Sequence, residues 1–228
     1  YYDHRKFVNF KALNQNRRVF LDQLRKNNMT MDIIPGNHDT YYKNTNELNA
    51  LKECLGHYMN EIHIVMEPTV MQYGSLSIAL LPWICADNYD QSMNFIRDCK
   101  ADWLGAHLEL ANFEIGRGIL APHGMDPKIF QKFEQVLSGH YHTASRKDNI
   151  WYLGNPMEFF WSDAHDPKFF HILDTETRQI EKIRNTYTLF EKIVYNDKEM
   201  DYNNYNKNLS KKFVKVVVAE KTDPFTFD

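Results

Sequence analysis

Cysteine is scarce in this chain of 228 residues: Cys54, Cys85 and Cys99 are an odd number at wide spacings. That pattern fits neither a disulfide framework nor a cysteine zinc site, and a reducing compartment is the simplest reading. No apolar run approaches the ~20 residues needed to span a bilayer, so the sequence predicts a soluble protein with no membrane partner. Charge of one sign is lacking too. A net charge of -3 supplies no global attraction to a polyanion, so contact with nucleic acid has to come from local patches. There are no internal repeats. The chain starts on Tyr1 with neither a methionine nor a signal-peptide pattern, which reads as a fragment.

What is present is ordinary globular composition, 43% hydrophobic and 25% charged. The 14% of aromatic residues leans toward β-rich structure, because such side chains pack well on a pleated surface. Leu13, Phe20, Leu21 and Leu24 recur at helical spacing and predict an amphipathic helix from Phe10 to Asn28, leading into a strand at 31–34 stopped by Pro35-Gly36. A second helix is expected from about Thr45 to Leu55, with Asn44 and Glu47 spaced as a capping box and Leu48, Leu51 and Leu55 as its apolar stripe. Strands follow near 62–65 and 77–82, a helix around 91–99, and an apolar run at 102–105. Beyond a Gly-rich loop at 116–126 come a helix near 127–133 and strands at 135–137, 150–153, 169–173 and 180–183. Alternating strands and helices followed by strands alone predict an α/β sandwich closed by antiparallel strands. The Asn-rich stretch 196–208 reads as a linker or long loop, and 211–219 as a strand of another unit.

Three apolar runs end in residue types that bind metals. Ile33-Ile34 leads into Gly36-Asn37-His38-Asp39, Trp103-Leu104 into His107, and Val136-Leu137 into Gly139-His140-Tyr141-His142. Ligands collect outside the carboxyl ends of strands in open α/β sheets, so the three loops are placed to converge on one crevice. An extended backbone would send His140 and His142 to the same side. Asn37 offers an amide oxygen to a hard cation, and imidazoles with oxygen ligands suit Mn, Fe or Zn. Each piece has a bland alternative: a surface histidine at 107, a turn of Gly, Asn and Asp, a solvated H-x-H face. Trp83, Trp151 and Trp161 read as packing residues more than base-stacking platforms. Glu109 and His123 read equally well as loop structure. Lys207, Lys211, Lys212 and Lys215 could touch a nucleic-acid backbone, although a charge run is usually a solvated face. His57, His63, His165 and His171 fall in no ligand-like pattern of the sequence and are left unassigned.

The two glycine-led words, in this order with His107 between them, resemble signature motifs of the calcineurin-like metallophosphoesterases. Tyr1-Tyr2-Asp3-His4-Arg5-Lys6 resembles the tail of a further family segment. Leu81-Pro82-Trp83, Gly105 to Leu110, Tyr152 to Pro156 and Asp166 to Thr177 carry the likeness toward SbcD-type nucleases and their T-even phage members. The likeness covers most of residues 1 to 184. It implies a two-sheet α-β-β-α sandwich over 1–184, without its first strand and first metal motifs, followed over 185–228 by the start of a small α+β capping and DNA-binding domain.

The resemblance also implies a Mn²⁺-dependent DNA nuclease with a two-metal site. Asn37, His107 and His140 would hold one ion and His142 the other. His38 would act as the acid and Asp39 would orient it. Implied partners are DNA, an SbcC-like coiled-coil ATPase and a second copy of the chain, in the cytoplasm of a bacterial or phage-infected cell. The family's Asp-x-His motif is absent and its bridging Asp would fall before Tyr1, so the fragment is expected to be weakly active or inactive and to hold at most one ion well. The alternatives are a phosphodiesterase or phosphatase for small substrates, and a non-catalytic interaction module.

Overall fold

The computed structural model describes residues 1–2, 4–116, 118–202 and 205–222. They form two compact units: Tyr1–Gly154 with Leu173–Ile180, and Asn155–Ile172 with Glu181–Asp228. Asp3, part of one of the motif likenesses, lies outside the described residues, as do Arg117 of the Gly-rich loop and the last six positions.

In the first unit the amphipathic pattern becomes a helix in three pieces. These are α1 (Phe10–Asn16), a π-helical turn (Arg17–Leu21) and α2 (Asp22–Lys26). Asn9 caps it, its side chain accepting from the amides of Lys11 and Ala12. Leu21 and Leu24 bury against Leu51, Leu55 and Ile62, while Phe10 and Val19 stay on the solvent side. The chain then enters β1 (Met31–Ile33). Next come α3 (Ala50–Leu55) and β2 (Ile62–Ile64), which pairs in parallel with β1.

The expected helix start at Thr45 is corrected: α3 begins at Ala50, capped by Asn49, whose side chain accepts from the amide of Lys52 at 3.0 Å. The residues between the two capping-box positions are held elsewhere. Thr45 Oγ1 donates to Asp87 and the Asn46 side chain to the carbonyl of Trp83, so 44–48 is held as a loop and Leu48 is exposed.

The main sheet has six strands in the order β3-β4-β5-β8-β10-β9. β3 (Thr69–Tyr73) is an antiparallel edge on β4 (Leu76–Leu81). After α4 (Tyr89–Asp98) comes β5 (Trp103–His107), parallel to β4. The Gly-rich loop is not all loop, since β6 (Glu114–Gly116) and β7 (Ile119–Leu120) pair within it. The helix expected near 127–133 is a single 3-10 turn, Pro127–Phe130. β8 (Gln135–Gly139) lies parallel to β5. β9 (Ser145–Lys147) and β10 (Ile150–Tyr152) complete the sheet, β10 parallel to β8 and β9 antiparallel at the edge. Leu104, Val136 and Tyr152 are fully enclosed in its larger core with Phe130 and Phe133. Ile78 and Trp103 belong to a separate cluster with Leu137, Leu173 and Ile180. Four parallel strands therefore direct their carboxyl ends to one edge, where ligands gather in such sheets.

β11 (Lys168–Asp174) and β12 (Gln179–Asn185) form a hairpin. In the second unit β13 (Phe190–Asn196) pairs in parallel with β14 (Phe213–Glu220), whose residues are all exposed. Buried Glu158 accepts from the amides of His165, Leu189 and Phe190. Buried Lys168 is paired with Asp163 and Asp166.

Candidate metal centre

Beyond β1 the chain closes into a tight turn. The amide of Asp39 donates to the carbonyl of Gly36 at 3.1 Å, and the amide of Gly36 donates to Asp39 Oδ2 at 2.8 Å. The other carboxylate oxygen, Oδ1, accepts from the amide of Tyr2 at 3.1 Å. The carboxylate of Asp39, 2% exposed, thus fixes the loop through its backbone. Asn37 is half-buried and His38 exposed on that loop.

His107 ends β5 and lies opposite Gly139 in the register with β8. Its imidazole fits between two glycines. A β-carbon at Gly36 would stand 2.9 Å from His107 Cε1, and one at Gly139 would stand 3.1 Å from Nδ1. Both glycine-led motifs therefore make room for the same ring. Asn37 Oδ1 is 2.9 Å from His107 Nε2, and His140 Nδ1 is 3.2 Å from that same nitrogen, the two rings meeting edge to face.

The structure brings Asn37, His107 and His140 together. His38 and His142 are near enough for their charge to act on the centre, both on His140 and His38 also on His107. The pair at 140 and 142 does not ride an extended strand. β8 stops at Gly139, and His140 takes a φ of 90°, so the backbone turns at the first histidine.

Burial makes the imidazoles poor bases. Desolvation first, then the neighbouring His140, pushes His107 down to about 3, and desolvation likewise lowers His140 against the opposing pull of Glu109. Both rings stay neutral at ordinary pH, the form that offers a lone pair to a metal. Donor atoms bound to one ion at about 2.0–2.1 Å stand roughly 3 Å apart. The separations of 2.9 and 3.2 Å, each that of a hydrogen bond to His107 Nε2, are of that order, so a divalent ion replacing those bonds would meet one amide oxygen and two imidazoles as donors. Among the described residues no group of three or more His, Cys, Asp or Glu side chains is arranged to hold a metal, and the third donor of this set is an amide.

Sequence reasoning missed the bracing behind the centre. The hydroxyl of Tyr152 donates to the carbonyl of Leu108 at 2.9 Å and accepts from the amide of Leu110 at 3.1 Å. The hydroxyl of Tyr141 donates to the carbonyl of Leu110, and Ser138 Oγ accepts from the amide of Leu108. The Tyr141 and Tyr152 rings lie 4.6 Å apart. These groups tie the loop after His107 to the loop that carries His140. Tyr152 inside an apolar run and Tyr141 between two histidines give no signal of this bracing in the sequence.

The geometry defines a mixed α/β unit with an Asn/His crevice at the carboxyl ends of parallel strands. No family model matches the chain. Exonuclease subunit 1 of Enterobacteria phage T4 is 34% identical over 220 residues, 96% of this chain and 63% of that protein. The chain thus spans about 63% of the length of the relative it matches. One solved crystal structure aligns over 79% of this chain and 78% of its own at 12% identity, with a TM-score of 0.42, too loose a likeness to argue from. Among the described residues no helix is long and apolar enough to cross a membrane.

Proposed function

We propose that the chain carries the metal centre of an SbcD-type DNA nuclease that hydrolyses phosphodiester bonds with divalent ions, most naturally Mn²⁺. The observation that carries this reading is the convergence of Asn37 Oδ1, His107 Nε2 and His140 Nδ1 within 2.9 and 3.2 Å. The 34% identity to a phage exonuclease subunit supports the choice of nuclease among phosphoesterases. Asn37, His107 and His140 hold one ion, and His142 contributes to a second. Two ions so placed would clamp the phosphate and lower the pKa of the attacking water. His38, exposed on the 36–39 loop, would serve as the proton donor to the leaving oxygen. Asp39 keeps that loop in shape, and with it the aim of His38.

Duplex DNA is the substrate in this proposal, an SbcC-like coiled-coil ATPase the partner, and a second copy of the chain a further one. The fold is that of the two-sheet phosphoesterase sandwich over 1–184, with 185–228 the start of the capping region. The cytoplasm is the compartment. Among the described residues His142 is the one side chain assigned to the second ion, so one Mn²⁺ is held well in this proposal.

Calorimetry and electron paramagnetic resonance with Mn²⁺ test the centre. The expected result is one tightly bound ion, lost in Asn37→Ala and His140→Ala and retained in His38→Ala. Failure of the intact chain to bind Mn²⁺ overturns the centre. Cleavage assays on duplex DNA and on small phosphodiesters test the substrate. Mn²⁺-dependent turnover confined to the small esters overturns the nuclease assignment.

A further inference from the structure

Beside the Asn/His centre, at the same carboxyl edge of the sheet, lies a cleft of ≈ 310 Å³ that the proposed chemistry leaves unused. His107 belongs to its lining, with Trp83, Ile84, Tyr89, Glu109 and Met125 among the other lining residues. That volume is at the small end of the ~300–1,000 Å³ range of ligand pockets, room for one flat ring system.

The walls are held in place. The amide of Trp83 donates to the carbonyl of Pro35 at 2.9 Å, and its carbonyl accepts from the side chains of Asn46 at 2.7 Å and Asn88 at 3.1 Å. Arg5 lies 5.5 Å over the Trp83 ring, while its Nη1 donates to Thr40 Oγ1 at 3.1 Å. The amide of Met125 donates to the carbonyl of Glu109 at 2.9 Å, joining two lining residues.

Chemistry narrows the occupant. Tyr89, Trp83 and Met125 offer flat or soft apolar surface of the kind on which bases stack. Glu109 is the single charged side chain among the lining residues, and its charge also reaches His140 at the centre. A carboxylate repels a phosphate and accepts hydrogen bonds, so the cleft selects a neutral ring that donates. Of the four bases, guanine presents two adjacent donors, its ring N–H and its amino group, to a two-oxygen acceptor. Thymine presents one ring N–H flanked by two carbonyl oxygens that a carboxylate repels.

We infer that this cleft receives the nucleobase next to the scissile phosphate, with Tyr89 and Trp83 as the stacking walls and Glu109 as a specificity-determining acceptor that favours guanine over thymine. The inference rests on the nuclease reading for the word "scissile", but the base contact needs no reaction. It places Trp83 as a stacking platform, against its sequence reading as mere packing.

The test uses the full chain and two metal-free probes, deoxyguanosine and thymidine, their binding followed by ligand-detected NMR. The expected preference for deoxyguanosine is about tenfold, the discrimination of one good bidentate pair. Glu109→Gln, close in shape, should bring the ratio near one, and Tyr89→Ala should weaken both nucleosides together. A defect of fold scales both arms and leaves the ratio, so the ratio is the readout. A ratio near one in the unaltered chain, or a ratio that survives Glu109→Gln, overturns the inference. So does loss of Mn²⁺ binding in Glu109→Gln, which would make Glu109 a metal ligand. Base binding together with Mn²⁺-dependent turnover confined to small phosphodiesters would sink the nuclease reading and leave the pocket, whereas DNA cleavage without base preference would do the reverse.

Discussion

Gly36 and His107 stand so close that a single β-carbon at position 36 would be driven to 2.9 Å from the imidazole carbon Cε1. Gly139 repeats the approach from the other side, at 3.1 Å from Nδ1. The ring is shaped by what its neighbours lack, and its nitrogen Nε2 is thereby set against Asn37 and His140.

Gly36→Ala and Gly139→Ala should therefore displace His107. Overpacking of this kind costs about 1–3 kcal/mol of stability. Mn²⁺ affinity should fall at least tenfold, on the order of 1.4 kcal/mol. Calorimetric titration alongside thermal unfolding checks both, and unchanged affinity in Gly36→Ala would show that the ring is not a ligand held by this contact.

Tyr152→Phe removes one oxygen and keeps the enclosed ring. The carbonyl of Leu108 and the amide of Leu110 both lose a partner. Leaving buried polar groups unpaired costs about 1–3 kcal/mol, to be read as a lower urea midpoint. A midpoint within experimental error of the parent would mean that the brace behind the centre contributes nothing.

Asn49→Ala tests the revised start of α3. The side chain of Asn49 accepts from the amide of Lys52 and donates to the carbonyl of Asn46 at 2.8 Å. Loss of such a cap costs about 0.5–2 kcal/mol. Asn44→Ala, at the position where the sequence pattern puts the cap, should cost less. The reverse order of the two variants in denaturant titration would contradict the boundary drawn at Ala50.

Glu191 gives the second unit an acid-sensitive joint. The hydrogen bond from Lys207, at 2.6 Å, is the main cause that holds its carboxyl below the usual range, and Lys212 at 3.5 Å assists. A carboxyl depressed in the folded state adds stability that is fully present above its unfolded value of about 4.3. That contribution is lost as pH falls through the lower folded value. Trp161, whose ring lies 4.9 Å from Phe190 in this unit, offers a fluorescent signal. Acid titration should show Lys207→Met flattening the loss of stability below about pH 4, where the parent declines. Identical acid profiles for the two would remove the ion pair from the account.

Much of this was legible in the chain. The strand ends before Gly36, at His107 and before His140 stood out because apolar runs stop abruptly there at turn-forming and metal-binding residues. The meeting of Asn37, His107 and His140 followed from where parallel strands send their carboxyl ends. Besides the tyrosine bracing and the paired strands of the Gly-rich loop, two further features were not legible. The capping-box spacing of Asn44 and Glu47 misplaced a helix start because Thr45 and Asn46 spend their hydrogen bonds on Asp87 and Trp83, partners distant in sequence. The strand Phe190–Asn196 went unread because Glu191 sits at its buried position, and a carboxylate there breaks the apolar alternation unless the lysines that satisfy it are already known.

The course of the chain between the two units has a practical corollary. It leaves the first after Gly154, comes back for Leu173–Ile180, and leaves again, so each leg of the β11–β12 hairpin is divided between both. No single scission can release either body whole. A break at Gly154 strands residues 173–180 on the wrong piece, and one after Ile180 leaves residues 155–172 behind. Any truncation series or domain graft must respect three junctions at once, after Gly154, Ile172 and Ile180.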